Sequence, residues 1–170
     1  MALPRFEKIS FDQYKKDVEG DENSRAKSAA ELKKEYDDIV MPQRATKHSA
    51  GYDFVAPREV VIYPGETMMV YTGIRAIMPD SAFLSMHIRS GIGIKHGVRL
   101  SNCTGIIDSD YAHADNEGHI MIKLINDGNR RVTIPEGKAF AQGIFQLYII
   151  TEDDKAIGER TGGIGSTDNT

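Results

Sequence analysis

The stretch Gly118-His119-Ile120-Met121-Ile122-Lys123-Leu124-Ile125-Asn126, followed at once by Asp127-Gly128-Asn129, decides the fold class. Its residues alternate as a half-buried strand does, and the triplet behind them has the chemistry of a hairpin-type turn. The same grammar repeats outward in both directions. Residues 131–134 stop at Pro135-Glu136-Gly137, and 139–150 carry a last long strand pattern. Upstream, 58–63 end at Pro64-Gly65, a long run over 67–78 ends at Pro79-Asp80, and 82–88 alternate roughly in and out. Short strands about ten residues apart, without helices between them, predict an all-β sandwich or jelly roll.

The first forty residues differ. Ser10-Phe11-Asp12-Gln13 and Ser28-Ala29-Ala30-Glu31 each have the form of a capping box, in which Ser caps and Gln or Glu reaches back. Phe11, Tyr14 and Val18 follow the first at helical spacing, and Leu32, Tyr36 and Ile39 follow the second. Two short helices joined by a polar stretch are expected, packed on the core or projecting from it. The chain therefore divides into a helical extension over 1–45, a β core over 46–150 and a polar, glycine-bearing arm over 151–170.

Composition excludes several classes. The chain has 170 residues, with 21 Lys and Arg against 25 Asp and Glu, a formal net charge of −4. That length allows one domain with tails or two very small ones, and an acidic balance is unlike that of a nonspecific DNA binder. Any polyanion it takes must meet a local cluster and a metal ion. No apolar run approaches the ~18 residues of a membrane helix, and the start lacks a basic-then-apolar signal. The lone Cys103 excludes an internal disulfide framework and a multi-cysteine zinc site, which points to a reducing cytoplasm. Cys103 itself reads as a small core residue.

Three segments carry candidate chemistry. The densest polar loop is Arg89-Ser90-Gly91-Ile92-Gly93-Ile94-Lys95-His96-Gly97. Its glycines permit close backbone approach, while Arg, Lys and Ser supply charge and a hydroxyl, an inventory suited to a di- or triphosphate. Next, Asn102-Cys103-Thr104-Gly105-Ile106-Ile107-Asp108-Ser109-Asp110-Tyr111 reads as a tight hairpin around a buried Ile pair. There Asp108 can stand at a pocket mouth as a general base. In the arm, Arg160-Thr161-Gly162-Gly163-Ile164-Gly165-Ser166-Thr167 is either a flexible terminus or a segment that folds over an anion with its N–H groups. No Gly-x4-Gly-Lys-Ser/Thr spacing exists, so it is not a P-loop. His113, Asp115, Glu117 and His119 alternate and could ligate a metal from one face of a strand, although residues 112–116 read more simply as a solvated loop.

In order, these segments resemble the five motifs of the trimeric dUTP diphosphatases (dUTPases). Ser49-Ala50-Gly51-Tyr52-Asp53-Phe54 is similar to the first motif and Arg89-Ser90-Gly91 to the second. Asn102 through Asp108 to Tyr111 resembles the third, 137–142 the fourth and 160–167 the fifth. The resemblance implies a jelly-roll-like β-barrel and a homotrimer with active sites shared between subunits. It implies hydrolysis of dUTP to dUMP and pyrophosphate with Mg²⁺. On that reading Asp108 holds and deprotonates the attacking water. Tyr111 lies under the deoxyribose and leaves no room for a 2′-hydroxyl. Asn102 and the backbone of Gly105, Ile106 and Ile107 bind uracil, with Met121 also against the substrate. Arg89, Ser90, Gly91 and Gln142 contact phosphates, and Asp53 helps hold Mg²⁺ through water. Arg160, Gly163, Ile164, Gly165 and Ser166 close over the nucleotide from another subunit.

The physics is consistent with that assignment. Mg²⁺ and guanidinium donors offset the ~4 negative charges of a triphosphate. An Asp near its reference value of about 4 is ionised at pH 7 and can take a proton. Three positions depart from the pattern. Lys138 and Ala139 replace an acidic residue and Arg in the fourth motif, and Ile164 replaces an aromatic in the fifth. Residues 112–116 form an insert, which resembles that of staphylococcal phage dUTPases, some of which also bind a repressor. A repressor-binding module that uses the pocket and the insert is therefore a second functional reading. A dCTP deaminase-type enzyme is a third, disfavoured by the Asp108-to-Tyr111 pattern.

Overall fold

The computed structural model describes residues 3–21, 28–158 and 160–163. The strands are β1 (Arg5–Lys8), β2 (Gln43–Arg44), β3 (Tyr52–Val55), β4 (Val60–Ile62), β5 (Thr67–Tyr71), β6 (Ile74–Ile77), β7 (Ala82–Ile88), β8 (Val98–Leu100), β9 (Gly105–Asp108), β10 (Met121–Asn126), β11 (Val132–Ile134) and β12 (Ala139–Leu147). The helices are α1 (Phe11–Glu19), α2 (Ala29–Asp37) and α3 (Ser90–His96), with a 3₁₀ turn at Ser109–His113. A five-stranded sheet runs β2-β3-β12-β7-β9 and a three-stranded sheet β5-β10-β8, with ribbons β1-β6 and β11-β4. Every pairing is antiparallel, and the described strands do not join into one closed ring.

One core serves all four sheets. Leu84 and Phe140 of the large sheet, Leu124 of the three-stranded sheet and Ile62 and Ile74 of the ribbons are buried in it together. The alternation that predicts β10 is realised, since Ile122, Leu124 and Asn126 are buried between half-exposed or exposed neighbours. The turn behind it is not a hairpin. β10 pairs with β5 and β8, whereas β11 crosses to pair with β4. The buried Asn126 side chain organises the crossover, donating to the Ile62 and Arg130 carbonyls at 2.9 and 2.8 Å and accepting from Gly128 N–H. The run 67–78 is also broken, at Thr72-Gly73, into β5 and β6. Gly73 has φ +68°, and a Cβ there would overlap Ile39 Cδ1, so glycine lets the chain after α2 lie directly on this corner. β12 ends at Leu147 rather than at 150.

Both helices form behind their Ser caps, but by different means. Ser28 and Glu31 make the full reciprocal box. At α1, Ser10 caps Gln13 N–H, yet the Gln13 side chain turns to Asp17. The reciprocal arm comes from far away: Glu117 accepts from Ser10 N–H at 2.7 Å and from its hydroxyl at 2.6 Å. Tyr14, Val18 and Leu32 then enter the core, and Tyr14 donates to Glu35 at 2.5 Å. Burial first, and then the Glu35 charge, push the Tyr14 phenol well above its ordinary range. Strand β1 is not apparent in Arg5-Phe6-Glu7-Lys8. Its partner makes it, with Arg75 of β6 reaching Glu7 through Nε at 3.0 Å and Nη2 at 2.7 Å.

The Ser10–Glu117 link has a pH signature. Burial raises the Glu117 carboxyl, but the two Ser10 bonds and the Arg75 charge together outweigh it, and the net displacement is below the ordinary glutamate value. A depressed carboxyl stabilises the fold above its unfolded value and loses that contribution as pH falls through the folded one. Glu117→Gln should therefore lower stability at neutral pH and flatten the acid limb of a urea-midpoint-versus-pH curve. An acid limb unchanged in shape would show that Glu117 does not anchor α1.

Candidate active site

A cleft of about 530 Å³ opens between the edge of the five-stranded sheet and the three-stranded sheet. Strand β9 supplies Gly105, Ile106, Ile107 and Asp108, the turn before it Asn102, and the 3₁₀ turn after it Tyr111. Met121 enters from β10, and Arg160 and Gly163 from the arm. Nine of the residues expected at the substrate thus meet in one chain. Met69, Met86 and Lys123 line the same cleft and were not anticipated. The pairing Lys123↔Met69 across β10 and β5 brings two of them there, which only a sheet register reveals.

The local geometry differs from a hairpin. β8 pairs with β10 and β9 with β7, so residues 101–104 carry the chain from one sheet to the other. Cys103 sits at φ +65° on that turn, exposed rather than in the core, 3.8 Å from Arg99 Nη1. Gly105 brings β9 against Met86, where a Cβ would lie 3.1 Å from Met86 Cβ. Ile106 is 54% exposed and only Ile107 packs on the core, so the Ile pair straddles the edge strand. Asp108 follows at the cleft mouth, with its side chain 49% exposed. Arg160 grips it: Nη2 donates to Asp108 at 2.5 Å, while Nε donates to Asp110 at 2.8 Å. These contacts are made within one chain.

The second group of expected residues lies elsewhere. Asp53, Gln142 and His87 share a rung across β3, β12 and β7, so their side chains leave the same face. Arg89 lies two residues beyond His87 and donates to Asp53 at 2.8 Å. Gly51 lies so close to Gln142 that a Cβ would strike the Gln142 side chain. Three separate motifs are thereby gathered at one end of the large sheet. Residues 89–97 are not a loop: Ser90–His96 is helical, and Gly97 closes it at φ +69°. Ser90 and Gly91 form its first turn, with no side chain capping it. Asp108 lies opposite Phe83, near the other end of β7 from Arg89. At ~3.3 Å per residue the two ends are about 20 Å apart. Ile164, Gly165 and Ser166 fall outside the described residues.

The insert is not a solvated loop. Ala112 and Ala114 are buried, and Asn116 Nδ2 donates to the Tyr111 hydroxyl at 2.7 Å. Asp115 N–H donates to the Thr161 carbonyl at 3.1 Å, which ties the arm to it. Nor do His113, Asp115, Glu117 and His119 converge, since His119 is wholly buried on Asp17 and Glu117 is turned to Ser10. Among the described residues no three His, Cys, Asp or Glu side chains are placed to hold a metal ion by themselves. Burial foremost holds the Tyr111 phenol above its ordinary range, so it is neutral at pH 7.

An antiparallel β-fold with an aspartate and a buried tyrosine at an apolar cleft, and an Arg-Ser-Gly helix start at the opposite end of a strand, is the arrangement of a nucleotide-binding enzyme. The chain belongs to the dUTPase family, whose model matches residues 37–168. It is 40% identical over 132 residues to the deoxyuridine 5′-triphosphate nucleotidohydrolase of Lactococcus lactis, covering 76% of this chain and 88% of that one. The Rickettsia felis enzyme of the same name is 38% identical over 134 residues, covering 75% and 87%. Among solved structures, the crystal structure of dUTPase from Streptococcus mutans matches with a TM-score of 0.62 and 33% identity, over 68% of this chain and 91% of that one. The dUTPase of Staphylococcus aureus phage phi11, with its species-specific insert, matches in fold at 0.59 and 23% identity, over 71% and 90%.

Proposed function

We propose that the chain hydrolyses dUTP to dUMP and pyrophosphate as a homotrimer with active sites completed between subunits. The separation of its two half-sites supports this reading. Asp108 lies opposite Phe83, about 20 Å along β7 from Arg89 and the Ser90-Gly91 helix start, a span that leaves the catalytic carboxylate and these phosphate contacts apart within one chain. A neighbouring subunit's β7 end brought against the cleft removes the gap. Asp108 then deprotonates the water that attacks the α-phosphorus, and Asn102 with the β9 backbone reads uracil. The Arg89 guanidinium and the α3 N–H groups bind phosphate oxygens.

The donor set fits a cation that takes most of its ligands from phosphate oxygens and water, the usual binding mode of Mg²⁺. Asp53, held by Arg89 at 2.8 Å, would accept from its bound waters. Bound with the nucleotide, the ion would neutralise phosphate charge as the pyrophosphate leaves. No described helix is long and apolar enough to cross a membrane, and we place the enzyme in the cytoplasm with its substrate.

Two inactive variants test the proposal together. Arg89→Ala and Asp108→Asn should each lack dUTP turnover, and after subunit exchange the mixture should recover a substantial part of it, because some sites then hold neither change. EDTA should abolish parental turnover. A monomer by light scattering that still hydrolyses dUTP at full rate, or a mixture that stays inactive despite demonstrated exchange, would overturn the shared site.

A further inference from the structure

The Tyr111 hydroxyl is held from two sides. It donates to the His119 carbonyl at 2.7 Å and accepts from Asn116 Nδ2 at 2.7 Å. The Asn116 orientation is fixed in turn, because its Oδ1 accepts from Gly118 N–H at 3.2 Å. His119 is 0% exposed, and its Nε2 accepts from Gly73 N–H at 2.9 Å. A backbone N–H can only donate, so the imidazole proton is on Nδ1 and is given to Asp17 at 2.6 Å. A chain of bonds thus runs from helix α1, through His119, to a phenol in the cleft wall. The arm is laid on the same group: a Cβ at Gly163 would lie 3.2 Å from Asn116 Nδ2 and 3.5 Å from the Tyr111 oxygen.

We infer that Asn116, His119 and Asp17 are positioning residues for Tyr111, and that they set how strongly the enzyme prefers a 2′-deoxyribose to a ribose. The inference rests on the dUTP reading of the cleft. Rejecting one oxygen by close approach requires the ring to be held to a fraction of an ångström. A hydroxyl whose proton and lone pair are both engaged cannot tilt without breaking a buried bond. None of the three residues need touch the nucleotide. Their effect passes through the phenol, so it should appear in selectivity rather than in the chemical step.

The test is a kinetic cycle on the intact enzyme with dUTP and UTP. Asn116→Ala, and the isosteric Asn116→Asp that lacks the N–H donor, should lower the dUTP-to-UTP ratio of kcat/KM by about fivefold, the net contribution of one hydrogen bond. The kcat for dUTP should stay within about twofold, since no contact to the reacting atoms is lost. Asp17→Asn should move the ratio in the same direction. In a Tyr111→Phe background, Asn116→Ala should change the ratio no further, because the bond it removes is already gone. An unchanged ratio in the single variants, or an effect that persists in the Tyr111→Phe background, would overturn the inference alone. A parent protein that does not hydrolyse dUTP would overturn it together with the proposed function.

Discussion

Asp108→Asn should lower dUTP turnover by about 10²–10⁴-fold, the usual contribution of a general base. The amide keeps the size and one acceptor oxygen of the carboxylate but replaces the other with a donor and has no basic lone pair. Nucleotide affinity should change little, because in the proposed function uracil is read by Asn102 and the β9 backbone and not by Asp108. Arg160 adds a second expectation. Its Nη2 occupies one Asp108 oxygen at 2.5 Å and its Nε one Asp110 oxygen at 2.8 Å. A water held for attack must share Asp108 with that guanidinium or displace it. Asp110→Asn should weaken the Arg160 fork without removing the base, and so should lower turnover far less than Asp108→Asn. Single-turnover measurements on both variants check the order. Asp108→Asn activity within about threefold of the parent, far short of a general base's share, would sink the assignment.

Gly118→Ala should be the most damaging small substitution near the cleft. Gly118 has φ +73°, which costs a side-chain-bearing residue ~1–2 kcal/mol. A Cβ there would also lie 2.6 Å from Ala112 Cα and 2.7 Å from the Tyr111 carbonyl oxygen, both backbone atoms that cannot swing away. Overpacking of that kind adds ~1–3 kcal/mol, so a loss on the order of 3 kcal/mol in urea unfolding is expected. The shift would be passed to Tyr111 itself, so the KM for dUTP should rise as well. Gly137→Ala is the control: its φ is +72° but nothing lies within 4 Å of its Cβ, so only the backbone cost remains. Equal losses at the two positions would show that the backbone around Ala112 gives way freely.

The motifs were legible where local chemistry alone makes them. The Ser caps at 10 and 28 act on residues three further on, and β7 spans the alternating residues 82–88. Where a partner remote in sequence makes the element, the sequence was silent or misleading. β1 exists because Arg75 and the aromatic group of Tyr52, Phe54 and Phe145 receive Glu7 and Phe6. The glycine-rich 89–97 reads as a loop because Gly91 and Gly93 each disfavour a helix by about 1 kcal/mol, yet Ser90–His96 is helical and Gly97 closes it. Residues 112–116 read as a tolerated insertion because they are small and polar. The structure shows that small size lets Ala112 and Ala114 be buried, and that one polar side chain, Asn116, is bonded to Tyr111.

By itself, then, the sequence determined the β class, the two capped helices and nine of the residues that line the cleft. Those are properties of side-chain period, cap chemistry and short motifs, all of which act over a few residues. Tertiary structure alone decided how they are grouped. Antiparallel pairing places Asp108 opposite Phe83 and Gln142 between Asp53 and His87, so motifs far apart in the chain are brought side by side along β7, with Asp108 near its start and Gln142 near its end. It also decided that Glu117 completes the cap of α1 and that Asp17 reaches Tyr111 through His119. Register and long-range hydrogen bonds depend on which strand lies beside which, and no spacing within one segment specifies that.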